Sequence, residues 1–192
     1  MANVIAWSGG ADSTALLDHY AGTSSEDYPV KAISISKHPN LVKGQTECEG
    51  KARKRYLEFA KARGYWIEHE EIEFGDGFSA HGPEVAGPPG QLMMWMCAIA
   101  PCVSDGDRVM FAYIMGDAMW HYKHEFVSAF DAIMDLKGVK AMLEFPFEWM
   151  TKKEVFEHLK KAKISSKHWW SCERPRVDGT RCGRCHKCKE CF

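Results

Sequence analysis

The feature that most constrains this sequence is a glycine-containing loop between an apolar segment and a helical one near the N-terminus. Residues 3–7 form a short apolar run typical of a buried β-strand, and Ser8 to Thr14 then read Ser-Gly-Gly-Ala-Asp-Ser-Thr. A helical pattern follows from Ser13, with Ala15 and Leu16 on one face. In an open α/β sheet, ligands bind at turns of this kind, beyond the carboxyl end of a strand. The sequence therefore predicts a ligand-binding α/β fold.

The glycines and serines of this loop suit the binding of a phosphate, and its aspartate suits a metal ion beside the phosphate. Gly9 and Gly10 allow backbone conformations closed to other residues and let a phosphate approach main-chain N–H groups. Ser8 and Ser13 supply hydroxyl donors, and the following helix directs its positive N-terminus at the anion. Asp12 would repel a phosphate, and so its carboxylate predicts a Mg²⁺ ion between the two. The alternative is a structural Gly-Gly turn with a helix cap, which binds nothing.

Apolar runs and helical stretches alternate along the rest of the chain. Thr151 and Glu154 have the spacing of a capping box, which predicts a helix from 152. Residues 73–91 are rich in glycine and proline, which predicts a long irregular segment that serves as a lid. The further strands are predicted at 30–34, 65–68, 108–112 and 144–147, and the further helices at 45–63, 91–100, 121–134 and 152–161. This order predicts an open parallel sheet with helices on both faces, Rossmann-like, over residues 1–165.

A cluster of cysteines predicts a small metal-binding lobe over residues 166–192. Five of the eight cysteines lie between Cys172 and Cys191, and four of them follow one another at intervals of three residues. Zinc in a structural site takes four thiolates in a tetrahedron. An iron–sulfur cluster is the alternative, because it uses similar spacing with a remote fourth cysteine. A disulfide is disfavoured in a reducing compartment, and five thiols leave His186 without a necessary role, exposed to solvent.

The other apolar and thiol side chains are predicted to be structural. Trp169 and Trp170 are expected to pack the lobe onto the main domain, with stacking on a base as the alternative. The scattered thiols and one methionine-rich stretch are assigned to buried packing. These residues are Cys48, Cys97, Cys102, Met93, Met94, Trp95 and Met96.

Charge is divided unevenly along the chain. The net charge is −1, but residues 151–192 carry 12 Lys and Arg against 5 Asp and Glu, and residues 1–150 are correspondingly acidic. The basic surplus accompanies the cysteines, whose thiolates would otherwise leave excess negative charge. The N-terminus has neither the basic start nor the apolar stretch of a signal peptide, and no apolar run approaches the roughly 20 residues of a membrane span. We therefore expect a cytoplasmic protein with no membrane partner.

Two motifs together resemble a known family. The N-terminal loop resembles the PP-loop of the ATP pyrophosphatase superfamily. Members of that superfamily have the adenine nucleotide α-hydrolase fold and split ATP between the α and β phosphates. Combined with Cys172-x9-Cys-Gly-x-Cys-x2-Cys188, it is similar to the 7-cyano-7-deazaguanine synthases. Residues 146–154 are similar to that family's Pro-Leu-x-Trp-x-x-Lys-x-Glu segment, and Pro89-Gly90 and Glu125-Phe126 stand in matching places. Two stretches depart: residues 91–92 replace the family's Arg-Asn, and residues 116–123 replace its Asp-x-Ser-Gly-Tyr-Pro-Asp-Cys-Arg. The resemblance therefore implies a compact, divergent member.

The resemblance implies an ATP-dependent ligase that converts 7-carboxy-7-deazaguanine and ammonia to the nitrile, with Mg²⁺ and Zn²⁺. It also implies a homodimer, free ammonia or a glutaminase partner as the nitrogen source, and no stable nucleic-acid complex. Asp12 as the Mg²⁺ partner and Ser13 are the implied catalytic residues. The implied nucleotide contacts are Trp7, Ser8, Gly9, Gly10, Ala11, Asp12, Ser13, Thr14 and Leu17. Candidate substrate contacts are His38, Gly90, His121 and Lys123, and the implied zinc ligands are Cys172, Cys182, Cys185 and Cys188.

Two other functions stay open on the residues alone. One is a PP-loop enzyme that thiolates or amidates another nucleobase or a tRNA. Thiolation would need a cysteine pair outside the metal site, and Cys97 and Cys102 do not fit exposed nucleophiles. The other is a nucleic-acid-binding module with a zinc knuckle and a basic tail. Release of AMP and pyrophosphate from ATP separates the enzymes from the module.

Overall fold

The computed structural model of the protein describes residues 1–37, 43–74 and 88–191. Its centre is a five-stranded sheet in the order β3-β2-β1-β4-β5, and every neighbouring pair is parallel. The strands are β1 Asn3–Ala6, β2 Val30–Lys37, β3 Ile67–Glu73, β4 Arg108–Met110 and β5 Met142–Glu144. The predicted α/β fold class with an open parallel sheet is confirmed.

Six helices accompany the strands in the described residues. They are α1 Ala11–Ala21, α2 Lys43–Ala62, α3 Pro88–Ile99, α4 Lys123–Lys137, α5 Lys152–Lys161 and α6 His186–Cys191, with short 3₁₀ helices at Ala100–Cys102 and Ala118–Tyr122. The capping box of α5 is confirmed: the Glu154 N–H donates to Thr151 Oγ1 at 3.3 Å, and the Thr151 N–H donates to Glu154 Oε2 at 2.7 Å. This cap fixes where α5 begins.

Several predicted boundaries were wrong, and three of the differences matter for the fold. The last strand is Met142–Glu144, and the chain after Phe145 turns instead of continuing in the sheet. Helix α3 begins at Pro88, inside the stretch predicted to be irregular, because proline lacks only an N–H that the first helical turn leaves unpaired anyway. Strand β3 is longer than predicted; it lies at the sheet edge, where polar side chains face solvent. Residues 75–87, and with them most of the predicted lid, lie outside the described residues.

Helices cover both faces of the sheet because β1 is apolar on both sides. Ile5 packs into a cluster with Leu16 of α1 and Leu159 of α5. Its neighbour Val4 points to the other face, into a cluster with Met94 of α3 and Phe126 of α4. A parallel strand buried on both faces reads as a continuous apolar run, as this one does. No helix among the described residues has the length and apolar character needed to cross a bilayer.

In helix α3, some of the side chains predicted to be buried are exposed. Met94 and Ala98, four residues apart, are fully buried and face the sheet, and Met96 is buried as predicted. Met93 and Cys97 are exposed, so their assignment to the core was wrong. Among the other scattered thiols, Cys48 is buried and Cys102 is partly buried.

Candidate functional site

The sheet topology places a crevice beyond the carboxyl ends of β1 and β4. The chain runs outward from β1 to β2 and β3, then returns to β4 on the other side of β1. The connections after β1 and β4 therefore diverge to opposite faces of the sheet. Ligands of open α/β sheets bind at such a topological switch point. The Ser-Gly-Gly loop leaves β1 at this crevice.

The loop gathers hydroxyl and N–H groups at the N-terminus of α1. Ser8 Oγ and Ser13 Oγ lie 3.0 Å apart, and the Gly10 N–H donates to Ser8 Oγ at 3.2 Å. Ser13 Oγ also donates to the Gly10 carbonyl at 3.4 Å. Gly10 is the N-cap of α1, and no side chain caps the helix there. The positive end of α1 is thus left available for an anion.

A buried arginine supports the loop from below. Arg53 of α2 donates from Nη1 to the Ser8 carbonyl at 3.1 Å and forms an ion pair with Glu71. Gly9 has φ +88°, and a Cβ there would lie 2.9 Å from Arg53 Cγ. Only glycine suits both the left-handed backbone and this close approach. The support comes from α2, whose apolar periodicity gave no sign of this contact.

A cavity of about 410 Å³ opens between the loop and the residues that follow β4. One wall belongs to β1, the loop and α1, and the opposite wall to α3 and to the chain after β4. The lining residues include Ser8, Gly10, Asp12, Ser13, Gln91, Trp95, Phe111, Tyr113, Asp117, Met119, Glu173 and Lys187. Polar groups at one wall and aromatic rings at the other suit a ligand with a phosphate and a flat ring.

Several predicted nucleotide contacts lie in the core instead. Trp7 is fully buried, and its Nε1 donates to Thr14 Oγ1 at 3.0 Å. Ala11 and Leu17 pack in the cluster beneath α1. Thr14 is also fully buried, and its hydroxyl accepts the hydrogen bond from Trp7, so its nucleotide contact stays a prediction. Ser8, Gly10, Asp12 and Ser13 line the cavity, and Gly9 shapes the turn between them.

The carboxylate of Asp12 is held by a lysine. Lys152, in the first turn of α5, donates from Nζ to Asp12 Oδ2 at 2.5 Å. Asp12 Oδ1 is buried and has no hydrogen-bond partner among the described residues. A buried carboxylate oxygen without a partner is costly, and a hard cation would satisfy it. Asp12 therefore fits a Mg²⁺ ligand. Lys152 was not predicted as a site residue, although it belongs to the family-like segment at 146–154.

A second ion pair crosses the cavity from the C-terminal lobe. Lys187 Nζ lies 3.9 Å from Asp117 Oδ1 and 3.6 Å from Glu190 Oε2. Burial, and next the charge of Asp12, raise the pKa of Asp117 above its ordinary value. Burial works against the charge of Lys187, but the surrounding carboxylates, Asp117 foremost, raise its pKa. Neither residue was predicted from the sequence, because neither belongs to a motif that indicates a role for that side chain.

The four cysteines Cys172, Cys182, Cys185 and Cys188 converge as predicted. All four Sγ atoms lie within 4.8 Å of one another, and those of Cys182 and Cys188 are 3.9 Å apart. A tetrahedral zinc site with Zn–S bonds of about 2.3 Å separates its sulfurs by roughly 3.8 Å. The backbone N–H groups of Arg184 and Cys185 point at Cys182 Sγ and lower its pKa to about 6. This set therefore fits a single metal ion bound by thiolates.

The lobe is joined directly to the loop. The Trp170 N–H donates to the Gly9 carbonyl at 2.8 Å, and Trp169 is buried against Phe156 of α5. The Arg181 guanidinium lies over the ring of Trp169, 4.3 Å from its centroid. The packing role predicted for Trp169 is confirmed, whereas the ring of Trp170 packs against the cysteines of the lobe and only its backbone N–H reaches the loop. His186 is exposed, as predicted.

The candidate substrate contacts are not brought together. Lys123 forms an ion pair with Glu148 and lies over the ring of Trp120, outside the cavity lining. His121 is exposed on the preceding 3₁₀ helix. Gly90 is buried in the first turn of α3, next to Gln91, which lines the cavity. His38 lies outside the described residues. Their contact with a substrate stays a prediction.

This geometry defines an α/β protein with a PP-type loop at the switch point and a cysteine-rich lobe against it. A family model described as "Queuosine biosynthesis protein QueC" matches residues 117–191, from Asp117 through the cysteines. No curated protein sequence matches the chain at a significant level.

One solved structure with a similar fold is the U34-tRNA thiolase NcsA from Methanococcus maripaludis with its 4Fe-4S cluster. The TM-score is 0.56 at 13% sequence identity, over 93% of this chain. The chain spans 61% of the length of that thiolase. The likeness shows the fold over 93% of this chain, while the family match covers residues 117–191.

Proposed function

We propose that this protein is an ATP-dependent ligase that forms 7-cyano-7-deazaguanine from 7-carboxy-7-deazaguanine and ammonia. The observation that carries the proposal is the cavity at the switch point, where Ser8, Gly10 and Ser13 face Trp95 and Tyr113. Polar donors at a helix N-terminus suit the phosphates of ATP, and the aromatic side suits a planar base. The family match over residues 117–191 supports the choice of base.

The chemistry needs two activations because hydroxide and oxide are poor leaving groups. The substrate carboxylate attacks the α-phosphorus of ATP, and pyrophosphate leaves. Ammonia then attacks the carbonyl carbon, AMP leaves and a proton is released, which gives the amide. The amide oxygen attacks a second ATP in the same way. Loss of AMP and the remaining N–H protons yields the nitrile.

The residues of the cavity position these groups and form no covalent bond to them. Ser8, Ser13 and the Gly10 N–H are placed to hold phosphate oxygens, and Lys152 fixes the carboxylate of Asp12. Mg²⁺ on Asp12 would neutralise phosphate charge when bound. Trp95 and Met119 on the opposite wall would limit the access of water, which hydrolyses an acyl-adenylate.

The metal proposed for the four cysteines is zinc, in a structural role. A four-iron cluster puts each thiolate on a different iron, which spreads the sulfurs further apart than around one ion. Four sulfurs within 4.8 Å fit the single ion better. Zinc would hold the lobe against the loop and supply no chemistry to the base.

The proposal is tested by mass spectrometry after incubation with ATP, Mg²⁺, ammonium and 7-carboxy-7-deazaguanine. We expect the nitrile, with the amide as a transient species. The wild type is compared with Ser8→Ala. This variant removes a hydroxyl at the loop and should slow the reaction about 10-fold or more. If the acid is recovered unchanged while the wild-type protein is folded and metal-loaded, the proposed substrate is wrong.

tRNA thiolation is the second candidate function, and the fold of the thiolase favours it. Its requirement for nucleophilic thiols outside the metal site is poorly met. Cys97 is exposed, contrary to our expectation, but burial and the charge of Glu70 raise the pKa of Cys102 to about 11. A thiol with that pKa is protonated at neutral pH and is a weak nucleophile. Incubation with tRNA, ATP and sulfide, followed by nucleoside analysis, tests this function separately.

A further inference from the structure

The C-terminal lobe contributes a lysine to the cavity. Lys187 stands between two of the converging cysteines, Cys185 and Cys188, in α6. The Cys188 N–H points at Cys185 Sγ at 3.4 Å, so the backbone that carries Lys187 is held in a tight turn. Its side chain is one-third exposed and reaches the cavity lining. The metal ligands therefore fix the position of this charge.

The charge of Lys187 is held loosely. Its Nζ is 3.9 Å from Asp117 Oδ1 and 3.6 Å from Glu190 Oε2, both beyond ordinary hydrogen-bond length. An ammonium group has three donors, and a ligand anion can replace Asp117 as its closer partner. Lys152, in contrast, is in close contact with Asp12 at 2.5 Å. The two lysines thus differ in how closely they are paired. Lys152 is in direct contact with Asp12, whereas Lys187 lies farther from its carboxylate partners and can move toward a bound anion.

We propose that Lys187 binds the carboxylate of the acceptor substrate. Its partner Asp117 follows β4, on the wall that also carries Trp95, Tyr113 and Met119. The phosphate donors Ser8, Gly10 and Ser13 stand on the other wall. A flat ring packed on the aromatic wall would bring its acidic substituent to Lys187, between that wall and the phosphates. This inference rests on the proposed function, because it names the group by which the cavity recognises an acidic base.

The test compares binding of two bases that share the deazaguanine ring and differ in the 7-substituent, which is a charged carboxylate in one and a neutral nitrile in the other. Affinities for 7-carboxy-7-deazaguanine and for the neutral 7-cyano-7-deazaguanine are measured by calorimetry on the metal-loaded protein, together with the affinity for ATP. We expect Lys187→Gln to weaken binding of the acid about 10-fold or more and to leave the nitrile and ATP unaffected. Lys187→Arg should retain most of the preference for the acid.

Lys189→Gln is the matched control, because Lys189 is exposed on the same helix and lies outside the cavity lining. Metal content is measured for every variant, so that a damaged lobe is recognised. An unchanged preference for the acid in Lys187→Gln overturns the proposal, and so does an equal loss of ATP affinity, which would assign the charge to the phosphates. If the wild type prefers the acid but releases no AMP, the proposed reaction fails and this assignment stands. Binding of neither base overturns both.

Discussion

The predicted α/β domain (residues 1–165) and the predicted C-terminal lobe (residues 166–192) bury different kinds of side chain in their described residues. The domain has two large apolar clusters, one on each face of the sheet. Among themselves, the side chains of the lobe bury little beyond the cysteines and part of Trp170, while Trp169 packs into one of the clusters of the domain. The first can be stable through burial of apolar surface, while the second is too small for a core of its own. Metal binding should therefore supply most of the folding free energy of the lobe.

This difference matters for function because the lobe completes the cavity. Lys187 and Glu173 reach the lining from the lobe, and Trp170 binds the Gly9 carbonyl. The site thus combines a wall that the sheet holds in place with a wall that a metal bound to the four cysteines would hold in place. A substitution in the lobe should therefore lower metal content, whereas one in the core of the domain should lower the free energy of unfolding.

The largest effect is expected from Cys182→Ser. Cys182 is buried at the centre of the cluster, and its loss leaves three thiolates for the ion. Metal content should fall to background and activity should be lost, while the circular dichroism of the domain persists. Cys191→Ser is the control, because the family-like motif ends at Cys188; it should retain metal and activity. Full metal in Cys182→Ser would mean that the assigned ligand set is wrong.

Asp12→Ala should stop turnover with both regions folded. The substitution removes the oxygen that is buried without a partner, and it also frees Lys152. We expect AMP release to drop about 100-fold or more at saturating Mg²⁺. Thermal unfolding and metal content report whether the protein stays intact. AMP release close to that of the wild type would remove Asp12 from the mechanism.

Leu16→Ala tests the opposite region. Leu16 is fully buried in the cluster beneath α1, and its truncation should lower the free energy of unfolding by about 2–5 kcal/mol. Denaturant unfolding measures the loss. The variant should still bind its full complement of metal when folded. A concurrent loss of metal in the folded protein would show that the two regions are not stabilised separately.

Glu49→Gln should change the dependence of stability on pH by a smaller amount. Burial raises the pKa of Glu49 to about 7, so between about pH 4.5 and 7 the folded protein keeps a proton that the unfolded chain has released. The stability of the wild type relative to this variant should therefore fall as pH rises through that window, by up to roughly 3 kcal/mol. His69, whose pKa burial lowers, has the opposite dependence in both proteins. A constant difference across the window would mean that Glu49 titrates normally.

How far the sequence predicted these regions depends on how local each signal is. The loop, the Thr151–Glu154 cap and the four cysteines are local patterns, and the structure reproduces each of them. The boundaries of β5 and α3 were wrong because short apolar runs and proline-rich stretches do not fix where pairing begins. The fold class followed from the alternation of strands and helices.

The contacts that the sequence did not predict join distant elements. Lys152 meets Asp12 across 140 positions, and Trp170 meets Gly9 through a backbone hydrogen bond that no side-chain pattern can announce. Arg53 gives no signal as the support of the loop, because it stands in an ordinary charged helix. The cavity wall formed by α3 and the chain after β4 was not predicted either, because it too is assembled from elements that are distant in sequence. Trp95 was assigned to packing, although it lines the cavity.

In the proposed reaction, ATP is cleaved between the α and β phosphates in this cavity, and the cleavage activates the substrate. The most direct test is phosphorus NMR of a reaction of the metal-loaded wild type with ATP, Mg²⁺, ammonium and 7-carboxy-7-deazaguanine. The account predicts AMP and pyrophosphate, formed only when the acid is present. ADP and inorganic phosphate as the products would contradict it.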